Sequence, residues 1–439
     1  MAGVDRPRVL LVWPTGPKSI DIVPLFMAFL VPQLLKVAHV VTMDCVLLGI
    51  TPDVPLLTDI ARYIKPDLIG ISAWSFGWQA ANLSAQVLRS ALPYAPIVMG
   101  GPHASVTGET GYADFALAGE GEVTFPQLVG LLAQQVSEDE LTKVPGLRFD
   151  GQKIVTPAEP IDDLDGLGLP RYASMSLDVY NDLGYSYRNY DEKQAPILAT
   201  RGCPYGCKFC SASMISGRKI RKHSISYLRE LLLYLKRDFE ITHINIVDDN
   251  FTFYPDYVKQ FCEMVLQNRD RLGNMTFATP NGIRVERSDA EMFRMMRSAG
   301  WSNVIFAPES GSQRIVNLMG KHLDLDIVPG RVDLAHAAGL EVEAFFIMNY
   351  PGETAEDREL TQQFVKRVPF DELSLHAFIP LPHTESWREL VEAGEIDRNH
   401  AVTRYNEVNW VANGRTAGDV GNDGKVLIDI VNRRKGRIA

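Results

Sequence analysis

Short apolar runs alternate with stretches of helical periodicity along most of the chain. In the first 135 residues, 8–13 (RVLLVW), 40–48, 67–72 (DLIGIS), 97–101 (IVMGG) and 115–118 read as strands. Between them, 23–36, 56–64, 79–92 and 123–135 read as helices, and Gly77 and Trp78 open a turn. Continuous apolar runs, unlike strictly alternating ones, mark strands buried on both faces. The pattern predicts a doubly wound parallel α/β sheet, flavodoxin-like (Rossmann-type), with its ligand beyond the C-terminal strand ends.

Residues 140–195 break the pattern. Pro145-Gly146, Asp150-Gly151 and Asp165-Gly166 are turn signals, and the stretch reads as a small hairpin followed by a linker. From Pro196 the alternation resumes through PILATRG, THINIVDD, MTFATPNG, SNVIFAPESG, VEAFFIMNYPG and ELSLHAFIP. Six strand–helix units are too few for a full eight-unit barrel, so a partial (β/α)6 TIM-like barrel is expected, with chemistry at its C-terminal strand ends. The expected organisation is 1–138 for the sheet domain, 139–194 for hairpin and linker, 195–390 for the barrel and 391–439 for a C-terminal tail lining the substrate pocket. Within that tail, 413–424 is rich in Gly, Asn and Asp and reads as a loop.

Composition narrows the function. The 439 residues are 46% hydrophobic and 22% charged, the balance of a globular protein. The net charge of -10 argues against a nucleic-acid partner, which needs a positive field. No apolar run approaches the roughly 20 residues that span a bilayer, and the N-terminus lacks a signal-peptide pattern. A cytoplasmic protein without a membrane partner is expected.

Of the five cysteines, three crowd into eight positions: Cys203-Pro204-Tyr205-Gly206-Cys207-Lys208-Phe209-Cys210, directly after a strand. Three thiolates at C-x3-C-x2-C spacing can hold three corners of an iron–sulfur cube and leave one iron open. Zinc knuckles prefer paired C-x2-C units, and no second pair exists. Cys45 and Cys262 lie in strand and helix patterns and read as buried thiols.

The motif and its context resemble the radical SAM superfamily over about 195–385. The resemblance implies a [4Fe-4S] cluster on Cys203, Cys207 and Cys210, with S-adenosylmethionine (SAM) on the open iron. It also implies SAM contacts at successive strand ends. These are Phe209 in the motif, Asp248, Asp249 and Asn250 after the second strand, and Asn281 after the third. Glu309 and Ser310 follow the fourth, Asn349 precedes Pro351-Gly352-Glu353-Thr354 after the fifth, and Pro380 ends the sixth. Arg221 lies in the basic stretch Arg218-Lys219-Ile220-Arg221-Lys222-His223-Ser224, which reads either as near SAM or as a solvated face. The plainer readings are a solvated strand end for Asp248 and Asp249 and a helix-cap neighbour for Glu309. His383 stands where relatives often carry glycine.

The N-terminal strand ends add a second resemblance. Gly100-Gly101-Pro102-His103 closes strand four, Ser72-Ala73-Trp74 strand three, and Gly119-Glu120-Gly121-Glu122 strand five. Gly49 follows strand two, and Thr15 and Gly16 follow strand one. Paired glycines let a large ligand lie on bare backbone. Together the two halves resemble the cobalamin-dependent radical SAM enzymes, often called class B radical SAM methyltransferases, over residues 7 to about 385. The resemblance implies cobalamin contacts at those positions. Many cobalamin domains carry D-x-H-x-x-G after strand one, but that loop has no histidine here, and Val46 takes the histidine position in the similarly spaced 44–49. No histidine ligand to cobalt is therefore expected. Trp74 or Phe76 could block the lower face, or these aromatics, with Trp78, could be core.

The family implies that one SAM methylates cobalamin, and that a second yields a 5′-deoxyadenosyl radical which activates the substrate for C-methylation. A small, natural-product-like substrate and an electron donor such as flavodoxin or ferredoxin are expected. The alternatives are a non-methylating rearrangement, ring contraction or cyclisation, and a non-radical methylation of an sp2 carbon.

Overall fold

A computed structural model describes residues 6–14, 23–149, 156, 158–184, 192–402, 407–412 and 414–437. The chain forms two compact units: Met1–Tyr185 with Met214–Gly217 and Val402–Tyr405, and Ser186–Ser213 with Arg218–Ala401 and Asn406–Ala439.

The first unit is built on a six-stranded sheet. Its strands are β1 (Arg8–Trp13), β2 (His39–Asp44), β3 (Leu68–Ser72), β4 (Ile97–Gly100), β5 (Phe115–Leu117) and β6 (Leu147–Phe149). The spatial order is β2-β1-β3-β4-β5-β6, parallel except for the β5–β6 pair. Alternation along β1 separates two cores. Leu10 and Val12 join Ile69, Ile71, Ala81 and Leu88 on one face, while Val9 and Leu11 join Leu34, Phe125 and Leu128 on the other. Burial of each such aliphatic chain contributes about 1.5–3 kcal/mol. Strand order reverses at β1 and β3, which opens a crevice at their C-terminal ends.

Several local expectations need correction. β2 stops at Asp44, not residue 48, because the Asp44 carboxylate accepts the N–H groups of Val46 at 3.0 Å and Leu47 at 3.2 Å. That N-cap starts the helical turn Cys45–Leu48, which Gly49 ends at φ +60°. Gly49 is thus a helix cap rather than a strand-end residue, Cys45 is helical, and the cobalamin-like spacing 44–49 is a capping motif. A 3-10 turn, Ser75–Gly77, leads into the helix Trp78–Ala91, so Trp78 begins a helix rather than a turn. The strand expected over 97–101 yields at Gly101 to a helix, Gly101–Thr107, with Pro102 in its first turn. Of the expected hairpin only β6 is seen, since 150–155 lies outside the described residues.

The second unit carries six parallel strands in chain order: β7 (Gln194–Ile197), β10 (His243–Ile246), β11 (Thr276–Ala278), β12 (Asn303–Glu309), β13 (Glu341–Met348) and β14 (Glu372–Ala377). Single bridges, Phe277 with Trp301 and Ile283 with Phe306, join the two three-stranded halves. A short antiparallel pair, β8 (Thr200–Arg201) with β9 (Arg221–Lys222), frames the cysteine loop. On β13 the outward residues Val342, Ala344 and Phe346 are buried, and Phe346 meets Phe364 and Phe370 edge-on.

The C-terminal stretch read as a loop is an 18-residue helix, Ala417–Arg434. A capping box starts it: Thr416 accepts the Asp419 N–H at 3.2 Å, and the Asp419 carboxylate accepts the Thr416 N–H at 2.8 Å. Val420, Leu427 and Val431 recur on one buried face. That face outweighs the glycines at 418, 421 and 424, each about 1 kcal/mol worse than alanine in a helix. No described helix is long and apolar enough to cross a membrane.

Candidate active site

In the second unit the cysteine loop leaves β8 and is tied down from several directions. The Lys208 N–H donates to Met319 O at 2.9 Å, and the Ser386 N–H donates to Lys208 O at 3.0 Å. Lys208 Nζ reaches Glu389 at 2.6 Å and Glu385 at 3.0 Å. Phe209 meets Tyr350 edge-on at 6.5 Å. Burial raises the pKa of the Cys203 and Cys210 thiols, and the charge of Cys207 raises both further. N–H groups already face the sulfurs: Ala212 N lies 3.4 Å from Cys210 Sγ, and Asn250 Nδ2 lies 3.9 Å from Cys203 Sγ. Three thiols on one short loop, two of them with N–H donors turned toward them, supply the soft ligands that an iron–sulfur cluster takes, although the described side chains are not drawn in around a metal position. By contrast, burial alone lifts the Cys262 thiol to about 12, an inert core residue.

Asp248 is buried, and its carboxylate accepts the N–H groups of Ala199 at 2.8 Å and Thr200 at 2.7 Å, plus Thr200 Oγ1 at 2.7 Å. Burial pushes it up to about 7 against those three bonds. The geometry makes Asp248 the brace that sets β8, and so the start of the cysteine loop. Asp249 is exposed, and its charge reaches Cys203 and Cys210. Asn281 Nδ2 donates to Val247 O at 2.8 Å. Arg221 is buried on β9 opposite Arg201. His223 is buried and stacks on Tyr227 at 3.9 Å.

Glu309 ends β12 in a left-handed conformation, φ +66°, a strained choice for a non-glycine residue. Its Oε1 receives Lys321 Nζ at 2.7 Å, and both side chains are buried. On β14, burial pulls the His376 pKa below its usual value although the charge of Glu309 opposes this. The next residues are bound to the helix Ala355–Arg367. Ser310 Oγ lies 3.3 Å from Thr361 Oγ1, and Ser312 Oγ donates to Asp357 at 2.6 Å. Asp357 also accepts the Thr354 N–H at 2.8 Å and pairs with Arg314. Burial alone would raise its pKa, but Arg314, Ser312 and Thr354 together hold it well below the usual carboxylate range.

Asn349 follows β13 at φ +61°. Its N–H donates to Glu353 at 3.1 Å, and its Nδ2 donates to Trp410 O at 3.1 Å. Burial lifts Glu353 to about 7 despite Arg358 and Arg415 nearby. Pro380 is buried. His383, expected to replace a glycine, adopts φ +61°, the conformation that glycine favours. Sequence reasoning did not single out Lys321, Asp357, Arg415 or His376. Thr354-x-x-Asp357 is a readable capping signal, whereas nothing in the sequence marks Lys321.

In the first unit, Gly101 takes φ +89°, and a Cβ there would stand 2.7 Å from Ser72 Oγ and 2.9 Å from Ala73 O. The ends of β3 and β4 are therefore pressed together as bare backbone. A Cβ on Gly100 would meet nothing closer than 4.0 Å. Trp74 is 37% exposed and edge-on to Trp13 at 6.4 Å. Phe76 is half-buried. His103 is buried, stacked on Trp78 at 4.3 Å, with Nδ1 3.1 Å from Ser75 Oγ and Nε2 3.5 Å from Glu109. Glu120 accepts the Ile161 N–H at 2.7 Å, and Gly119 has φ +85°. Glu122 lies in the first turn of the helix Gly121–Ala133. Thr15 and Gly16 fall outside the described residues. Bare glycine backbone beside an exposed indole fits a large flat ligand such as a corrin ring.

Comparison with known proteins agrees with this division. Residues 31–129 match the B12 binding domain and 197–365 the radical SAM superfamily. An uncharacterised methyltransferase of Pyrococcus horikoshii is 29% identical over 87% of this chain and 82% of its own. The cytidylyl-2-hydroxyethylphosphonate methyltransferase of Streptomyces wedmorensis is 26% identical over 79% and 71%. Among solved structures, the radical S-adenosylmethionine methyltransferase TsrM from Kitasatospora setae superposes with a TM-score of 0.72 at 17% identity, covering 88% of this chain and 76% of that one. The chain belongs to the cobalamin-dependent radical SAM enzymes, the family of the class B radical SAM methyltransferases. Its cofactors are a [4Fe-4S] cluster, SAM and cobalamin.

Proposed function

We propose that this enzyme transfers a methyl group to a carbon of a small-molecule substrate by a radical route. The observation that carries the reading is the presence, on one chain, of a B12 binding domain and a radical SAM domain, with named methyltransferases aligned across most of its length. Bound SAM supplies the methyl group and, on one-electron cleavage, a hydrogen-abstracting 5′-deoxyadenosyl radical, while cobalamin supplies the methyl carrier.

The chain's own residues divide the work. Cys203, Cys207 and Cys210 hold the cluster, and Asp248 fixes the strand from which their loop departs. Glu309, held by Lys321, would bind the SAM nucleoside, with Ser310, Asn349 and Pro380 placed at the strand ends around it. Gly100, Gly101 and Trp74 form the backbone and aromatic bed for cobalamin.

A second reading has its own support. The anaerobic magnesium-protoporphyrin IX monomethyl ester cyclase of Rubrivivax gelatinosus is 25% identical over 77% of this chain. A cyclisation or rearrangement would use the same cofactors without net methyl transfer. Anaerobic reconstitution with iron, sulfide and hydroxocobalamin, then SAM and a strong reductant, separates the two. Methylation predicts both 5′-deoxyadenosine and cobalamin-dependent S-adenosylhomocysteine by mass spectrometry. The former without the latter favours rearrangement. S-Adenosylhomocysteine alone favours non-radical methylation of an sp2 carbon.

A further inference from the structure

The helices that follow β12 and β13 frame a groove that has no part in the chemistry above. Its volume is about 590 Å³, and one side is the helix Ala355–Arg367, which contributes Leu360 and Arg367. The other side is the short helix Gln313–Leu318 with the segment 322–326, which contributes Asp324 and Asp326. Gln313 secures that segment: its Nε2 donates to Leu323 O at 2.8 Å, and its Oε1 accepts the Leu325 N–H at 2.9 Å. Gly311 also lines the groove, and a Cβ there would stand 2.5 Å from Phe364 Cβ. The loop that follows Glu309 is therefore seated directly on the first side.

Beside the groove, opposite charges close on each other: Arg314 on Asp357, and Lys321 on Glu309. Within it they do not. Arg367, Asp324 and Asp326 are exposed and line one cavity with opposite signs, and among the described residues none of the three forms an ion pair. The Arg367 guanidinium lies 5.7 Å from the Phe364 ring, and Asp324 accepts the Asp326 N–H at 3.0 Å. Leu360 is 40% exposed, and its spacing of two turns puts it on the helix face of Arg367. Unpaired charges of both signs and an apolar side chain in one cavity are complementary to a ligand with the same three features. A nucleotide would bring only anions to Asp324 and Asp326, and a polyamine only cations to Arg367. The acids and His322 are not gathered about a metal position.

We propose that this groove is a second ligand site, which binds a zwitterionic α-amino acid with an apolar side chain. Arg367 takes the carboxylate, Asp324 and Asp326 take the ammonium, and Leu360 takes the side chain; no bond is made or broken. The site bears on the reaction through Lys321. That residue begins the segment which the ligand braces, and its ammonium holds Glu309 at 2.7 Å. Occupancy fixes Lys321 and with it Glu309, so the amino acid and SAM strengthen each other's binding by the same factor. This link rests on reading Glu309 as a SAM contact; the binding of the amino acid does not.

The test uses the reconstituted holoenzyme, saturated with SAM and without reductant, and L-methionine as the probe. Calorimetry should show L-methionine bound. Its methyl ester, which lacks the carboxylate, and its N-acetyl form, which lacks the ammonium, should each bind about tenfold more weakly or worse. Arg367→Gln should weaken L-methionine about tenfold and remove the penalty on the ester. Asp324→Asn/Asp326→Asn should do the same for the N-acetyl form, with the cluster and cobalamin spectra of both variants unchanged. That exchange of preferences is one that a merely loosened fold would not produce. No binding to wild type, or equal binding of all three compounds, would overturn the proposal. So would L-methionine that binds only when SAM is absent, since it would then sit on the open iron. SAM affinity should rise about fivefold with L-methionine present, and not in Arg367→Gln. Binding with no such rise would keep the groove as a site and overturn its link to Glu309.

Discussion

Both units carry their candidate sites at the C-terminal ends of parallel strands, yet they furnish them with different materials. The sheet unit offers backbone: Gly101 is pressed against Ser72 and Ala73, and His103, two residues on, is stacked on Trp78. The barrel unit offers charged and hydroxyl side chains locked in mutual bonds: Asp248 on β8, Glu309 with Lys321, and Asp357 with Ser312, Thr354 and Arg314. A large rigid ligand gains by contact with smooth backbone, where any Cβ is an obstruction. A small zwitterionic ligand about to be cleaved needs oriented charge, and side chains supply it only when held rigid. The difference teaches that glycine and ionic networks serve comparable ends for ligands of different size.

The sharpest way to break the comparison is to damage each material separately. Replacing Cys203, Cys207 or Cys210 with alanine should abolish the iron–sulfur absorbance and 5′-deoxyadenosine formation, while cobalamin loading survives. Gly101→Ala should do the reverse. Its φ of +89° and the 2.7 Å approach to Ser72 Oγ together cost about 1–3 kcal/mol at the β3–β4 junction. Cobalamin retention should fall about tenfold on gel filtration, with the cluster spectrum unchanged. Loss of both cofactors in either variant would deny that the two sites are independent.

Within the barrel unit the network can be weakened one link at a time. Asp357→Ala leaves the buried Ser312 hydroxyl and the Thr354 N–H without their acceptor. A cost of about 3 kcal/mol is expected, read as a lowered urea midpoint. Because Asp357 ties the Ser310-Gly311-Ser312 loop to the start of the next helix, KM for SAM should rise as well. An unchanged KM would reduce Asp357 to a purely structural clamp.

Four residues earlier, Glu353 titrates in the opposite sense. Burial lifts it from 4.5 to about 7. Between those values the unfolded chain gives up this proton first and the folded chain keeps it. Stability from this group is therefore greatest below about pH 4.5 and is lost as pH rises toward 7, by about 3 kcal/mol at most. Glu353→Gln, neutral at every pH, should gain on wild type in that window. The midpoint difference between the two proteins, followed from pH 5 to pH 8 (about one transition either side of neutrality), should grow with pH. A constant difference would mean that Arg358 and Arg415 keep Glu353 ionised.

Much of this architecture was legible because buried parallel strands write continuous apolar runs. RVLLVW matches β1 residue for residue, and the six barrel segments each overlap a strand. The cysteine triplet was legible from spacing alone. The errors share a cause. The run after Asp44 is apolar in either conformation, and only the Asp44 side chain folding back on Val46 and Leu47 makes it helical. The Glu309–Lys321 pair and the brace of Asp248 on β8 join residues 12 to 49 positions apart, and no local periodicity encodes such contacts.

The C-terminal helix gives the mildest test. Its glycines argued for a loop, and its formation depends on tertiary burial plus good ends. At the start stands the Thr416–Asp419 capping box; at the finish Arg434 donates to Val368 O at 2.9 Å and Phe370 O at 3.2 Å. Just before the cap, Arg415 reaches both Glu353 and Asp423, so the helix start is tied to the same strand-end loop as Asn349. Thr416→Ala should cost about 1 kcal/mol. Hydrogen exchange should quicken in 417–434 and in the Asn349–Glu353 turn, and stay unchanged in β1 and β3 of the sheet unit. Faster exchange confined to the helix itself would show that its ends are pinned by Arg434 and Arg415 alone, and that the capping box adds nothing to the strand-end loop.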